Sequence, residues 1–100
     1  MVAKILIRRR FKMGKTKEIF ALLKGFRSAA LNQPGYISGE TLTEHNDSQR
    51  TLVIGTWENM ESWHNWKKNS KRKEFEALLE IYQDGPTEYE EYLLGTSHLE

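Results

Sequence analysis

Apolar and polar residues alternate from Val2 to Phe11, with Ala3, Ile5, Ile7 and Phe11 on one face and Val2, Lys4, Leu6, Arg8 and Arg10 on the other. A period of two belongs to an extended chain, so a first strand is predicted here. The period then lengthens. After Gly14-Lys15, Thr16 is a candidate helix N-cap, and Ile19, Leu22, Leu23, Phe26 and Ala30 recur at helical spacing until Pro34-Gly35 ends the run. Tyr36 to Glu44 reads as a second strand, the polar Asn46-Asp47-Ser48-Gln49 as a turn, and Arg50 to Trp57 as a third strand completing a hairpin. Helical spacing resumes at Met60, pauses at Asn69-Ser70, and returns in Phe75, Leu78, Leu79 and Tyr82. Asp84-Gly85-Pro86 breaks it, and Thr87 to Leu94 supplies a last strand. The order β-α-β-β-α-β, with the second helix in two pieces, predicts an α+β, ferredoxin-like fold around an antiparallel sheet.

Both faces of that sheet carry apolar residues. Leu52 and Ile54 oppose Val53 and Trp57, Leu6 opposes Ile5 and Ile7, and Tyr92 and Leu94 oppose Tyr89 and Leu93. Helices can cover one face only, so the other is expected to meet a second copy of the sheet in a two-fold homodimer.

The aromatic residues are unevenly placed. All three tryptophans fall between Thr51 and Trp66, where a strand passes through Glu58-Asn59-Met60 into a helix. Trp57 continues the face of Thr51, Val53 and Gly55; at about 100° per residue, Met60, Trp63 and Trp66 form a stripe about 120° wide. Strand and helix can thus aim indole surface at one space, either as filled core or as a pocket for a flat, apolar molecule.

Composition narrows the chemistry. One hundred residues suit one domain, expected over residues 1–96, and the final Leu99-Glu100 within the tail 97–100 resembles cloning residues. A net charge of +1 with 29% charged residues argues against a nucleic-acid binder driven by bulk charge. The run Lys67, Lys68, Lys71, Arg72 and Lys73 reads as a solvated helix surface, and Arg8-Arg9-Arg10 alternates across its strand instead of forming one patch. With no cysteine there is no thiolate nucleophile, disulfide or cysteine-ligated metal. No segment has the length and apolar character of a signal peptide or membrane helix, so a cytoplasmic protein with no membrane partner is expected.

Two stretches, Gln33-Pro34-Gly35-Tyr36-Ile37-Ser38-Gly39-Glu40 and Leu52-Val53-Ile54-Gly55-Thr56-Trp57-Glu58-Asn59-Met60-Glu61-Ser62-Trp63, resemble the antibiotic biosynthesis monooxygenase family. That family reads proline-glycine-aromatic into its second strand and ends the third with an aromatic residue before an acidic helix start. The resemblance implies a dimeric α/β barrel with a pocket in each subunit between sheet and helices. Some members oxidise polycyclic phenols with dioxygen and no metal or flavin; others degrade haem. Cofactor-free oxygenation needs an electron-rich substrate that loses a proton, so the protein must supply a dry aromatic pocket, a base and a group that stabilises the anion.

The candidate base is His64, beside the tryptophan cluster, although it lies about 100° round the helix from Trp63. The family's histidine position, nine residues after the strand-end aromatic, holds Trp66. Trp57, Trp63 and Trp66 are the candidate stacking surfaces, Tyr36 a hydrogen-bond donor, and Arg9 a partner for a phenolate or carboxylate on the face of Ile5 and Ile7. No metal ligand set is expected. Haem-degrading members combine a first-strand asparagine, a helix tryptophan and a later iron-ligating histidine; these positions fall here near Ile7, at Trp66 and at Glu76, which disfavours haem. The expected function is a cofactor-independent monooxygenase or quinol-type oxidase on a small aromatic substrate. The alternatives are a non-catalytic dimeric module that binds a small molecule or is simply structural, and a haem-binding protein lacking the usual haem-degrading residues.

Overall fold

The computed structural model describes residues 1–95; the expected tail, residues 97–100, lies outside the described residues. The elements are β1 (Ala3–Arg10), α1 (Thr16–Leu31), β2 (Tyr36–Glu44), β3 (Asp47–Trp57), α2 (Met60–Lys68), α3 (Ser70–Glu80) and β4 (Glu88–Leu93). They build one antiparallel sheet in the order β2-β3-β1-β4. This is the ferredoxin-like α+β arrangement anticipated from the periodicity.

Local chemistry explains most boundaries. Gly35, with φ of +84°, takes the left-handed conformation that turns the chain from α1 into β2. Asn59 caps α2 by accepting from the Ser62 amide (2.8 Å), and Asn69 caps α3 by accepting from the Lys71 amide (2.8 Å). The break between the two helices is therefore written in one asparagine. Two boundaries differ from those the periodicity predicts. Lys15, not Thr16, occupies the N-cap position of α1, and no side chain caps that helix. The hairpin turns at His45-Asn46, while Asp47 to Gln49 belong to β3. Asp47 is drawn into the strand because its carboxylate accepts from Arg10 at 2.5 Å and from the Gln49 amide at 3.1 Å.

The core lies between one sheet face and the helices. Ala3, Ile5 and Ile7 of β1 and Trp57 of β3 are buried against Ile19, Phe26 and Ala30 of α1, Trp63 and Trp66 of α2, and Leu79 of α3. Each indole so buried removes on the order of 200 Å² from water, an upper-bound gain of about 5 kcal/mol. The opposite face carries Leu6, Leu52 and Ile54, half-buried in the single chain, beside exposed Leu42 and Tyr92. It also carries charge: Arg8 pairs with Glu90 at 2.7 Å and Arg10 with Asp47. Leu78, expected in the helical stripe, is exposed instead, because Arg72, Glu76 and Leu79 take the inward positions of α3.

Candidate functional site

Cross-strand register sets the site. Odd-numbered residues of β1 and β3 share the helix-covered face: Ala3 opposes Trp57, Ile5 opposes Gly55, Ile7 opposes Val53 and Arg9 opposes Thr51. On the next strand Tyr36 opposes Trp57 and Gly39 opposes Gly55. The paired glycines leave a floor without side chains. A Cβ on Gly39 would stand 2.5 Å from the Tyr36 hydroxyl, and one on Gly55 would stand 3.4 Å from the Trp57 Nε1, so both polar atoms occupy space that the glycines vacate.

Above this floor is a cavity of about 70 Å³ whose walls include Tyr36, Trp57, Trp63, Trp66, Arg9 and Arg72, closed on the α1 side by Leu23 and Phe26. The indoles of Trp57 and Trp63 are tilted at 6.1 Å, Tyr36 meets Trp57 edge-on at 5.1 Å, and Phe26 meets Trp66 edge-on at 6.2 Å. The fold thus gathers Tyr36, Trp57, Trp63, Trp66 and Arg9 from four elements around one space. His64 is placed elsewhere. Its side chain is 45% exposed and does not line the cavity; Nε2 lies 3.0 Å from Glu91 Oε2, the oxygen that also accepts from the Trp63 indole N–H at 2.6 Å. Burial alone would raise the Glu91 carboxyl, but the hydrogen bonds from Trp63 and His64 outweigh it and hold the group below its ordinary value.

Arg9 is 4% exposed and Arg72 3% exposed. Both donate to the buried Glu76 Oε1, Arg72 at 3.5 Å, while Thr87 donates to Oε2 at 3.3 Å. The Arg72 guanidinium lies over the rings of Phe26, Trp63 and Tyr89, 5.1 to 5.3 Å from their centroids, and donates to the Tyr89 hydroxyl at 3.1 Å. Burial, more than the opposing Arg72 charge, pushes the Tyr89 hydroxyl up, so it stays protonated. The expectation that Arg72 belongs to a solvated surface is therefore overturned: it occupies the inward stripe of α3, seven residues before buried Leu79. Reading that stripe backward from Leu79 through Glu76 to Arg72 was the signal in the sequence that pointed inward.

Glu76, at the position of the haem-ligating histidine, has both oxygens engaged, and Ile7 offers no hydrogen-bond donor, so the residues do not fit haem held by that route. Among the described residues no group of three or more His, Cys, Asp or Glu could hold a metal ion, and no helix is long and apolar enough to cross a membrane. A larger groove, about 460 Å³, lies across the sheet on the open face between Arg8, Arg10, Leu42, Leu52 and Pro86. It shares no aromatic wall with the site.

Fold and cavity together define a ferredoxin-like α+β domain with an aromatic-walled site between sheet and helices. Residues 3–85 match the model of the antibiotic biosynthesis monooxygenase family, and the chain belongs to that family. Among solved structures, a conserved protein from Methanosarcina mazei Go1 superposes with a TM-score of 0.85 at 21% identity, covering 92% of this chain and 91% of that one. SnoaB, a cofactor-independent oxygenase from Streptomyces nogalater, superposes with a TM-score of 0.84 at 13% identity, covering 99% and 98%. At these identities the likeness establishes the fold. No curated protein matches the sequence.

Proposed function

We propose that the protein is a cofactor-independent monooxygenase or quinol-type oxidase acting on a small aromatic substrate in the cavity between sheet and helices. The supporting observation is that indole faces of Trp57, Trp63 and Trp66 and the polar groups of Tyr36 and Arg9 converge on that single space. Apolar walls hold a ring and exclude water; donors stabilise its oxygen as the substrate loses a proton and delivers electrons to dioxygen. A quinol would pass two electrons and two protons to dioxygen, giving quinone and hydrogen peroxide. In the monooxygenase case the substrate itself is the reductant: a ring CH2 becomes C=O, one oxygen atom entering the product while the other leaves as water with the two hydrogens the carbon gives up. The description of SnoaB as a cofactor-independent oxygenase supports the same chemistry class.

Ring binding requires the cavity to widen. Its volume of about 70 Å³ is half of the roughly 150 Å³ that admits benzene in an engineered apolar cavity. Leu23 and Phe26 on α1 are the walls on the helix side that a ring would have to displace. His64 acts from outside the cavity, through Glu91 and the Trp63 indole, as a positioning residue. A second copy covers the open sheet face to make a homodimer, burying Leu6, Leu42, Leu52 and Ile54. The small volume favours a second reading, a dimeric small-molecule-binding or structural module without catalysis.

Oxygen uptake with a panel of phenols and quinols separates the two. Wild type should consume oxygen with at least one of them, Tyr36→Phe should lower kcat/KM by at least about tenfold, and His64→Ala by less. No uptake with any substrate leaves the non-catalytic module.

A further inference from the structure

We propose that the cavity is selective for an aromatic carboxylate, with the carboxylate held by Arg9 and Arg72 and the ring lying toward Tyr36 and Trp57. This deepens the proposed function by naming its substrate class, and it rests on the same cavity.

Charge is the first ground. Two guanidiniums, each more than nine-tenths buried, share the single carboxylate of Glu76, leaving a formal charge of +1 in the wall of an aromatic cavity. Buried charge without a counter-ion is expensive, and an anionic ligand removes the imbalance. The second ground is hydrogen bonding. The Nε–H groups of Arg9 and Arg72 are buried without an acceptor, so the cluster has donors to spare. A planar carboxylate matches guanidinium geometry better than a single phenolic oxygen, since it accepts two bonds side by side.

Register gives the orientation. Arg9 opposes Thr51 at one end of the β1–β3 pair, whereas Tyr36 opposes Trp57, which opposes Ala3, at the other end. Trp63 bridges the two, tilted against Trp57 on one side and lying under the Arg72 guanidinium on the other. A ring between them presents its carboxylate to the arginines and its far edge to the Tyr36 hydroxyl. At the mouth, Arg27 and Glu40 carry opposite charges and offset each other, so the inner cluster sets the preference.

Benzoate and its neutral isostere benzamide, titrated against tryptophan fluorescence at pH 7, read this directly and without turnover. Wild type should bind benzoate at least about tenfold more tightly than benzamide. Arg72→Gln should weaken benzoate by about 30-fold or more and leave benzamide within about threefold. Glu76→Gln, which removes the internal counter-ion while keeping an acceptor oxygen, should tighten benzoate by about tenfold; a purely structural role for the cluster predicts no gain. If Arg72→Gln does not fold, the wild-type pair and Glu76→Gln still decide. Equal binding of the two ligands, no binding of either, or no gain in Glu76→Gln overturns the proposal. Oxygen uptake on uncharged phenols without benzoate selectivity removes this inference and keeps the oxygenase; benzoate selectivity without oxygen uptake does the reverse.

Discussion

Three consecutive arginines on β1 meet opposite fates. Arg8 and Arg10 point to the open sheet face, where their side chains are 42% and 41% exposed and pair with Glu90 and Asp47; Arg9 points beneath the helices and is almost wholly buried against Glu76. Identical chemistry, shifted by one residue along a strand, gives a solvated ion pair on one side and part of a desolvated cluster on the other. Screening by water makes the outer pairs nearly neutral for stability, whereas the inner cluster is coupled to everything packed around it. A site therefore forms where the fold removes water from charge.

The sharpest way to break this comparison is to take the carboxylate from each side. Glu76→Ala leaves two buried guanidiniums without their shared acceptor and should destabilise the protein by about 3–5 kcal/mol in denaturant titration. Glu90→Ala, its counterpart on the open face, should leave the midpoint almost unchanged; equal losses would show that the inner cluster is not electrostatically special.

The open face is tested next by Ile54→Asp. If a second copy covers that face, light scattering should show the mass falling from two chains to one, and the melting temperature should fall with it, because association stabilises only the folded chain. A wild type that already runs as one chain would remove the dimer.

The smallest effect expected is on pH dependence. Because Trp63 and His64 hold Glu91 below its ordinary carboxylate value, that hydrogen-bonded arrangement is fully formed above the unfolded carboxyl's range, and it is lost as pH falls through the lower, folded value. Tryptophan emission should shift in that acidic window, and Glu91→Gln should remove the shift.

Much of this arrangement is legible in the sequence. Alternation in β1 and β3 assigned Ile5, Ile7, Trp57 and Arg9 to one face, and the structure brings these together with Tyr36, Trp63 and Trp66. Arg72 is hidden from a sequence reading because it lies in a basic run that looks like solvated helix surface, and Glu76 because a lone carboxylate on a charged helix does the same; only the inward stripe traced from Leu79 marks both. His64 sits near the indoles in sequence but off their face in space, a difference of about 100° around α2 that turns it to Glu91. Gly39 and Gly55 carried no visible meaning until strand pairing set them opposite each other.

The sequence by itself determined the order of elements, the parity of each strand and the family, because these depend on local periodicity and on short motifs. Tertiary structure alone decided which charges lost their water, how two arginines came to share one carboxylate, and how little space remains among the indoles. Those depend on distances between residues far apart in the chain, which only register and helix packing fix.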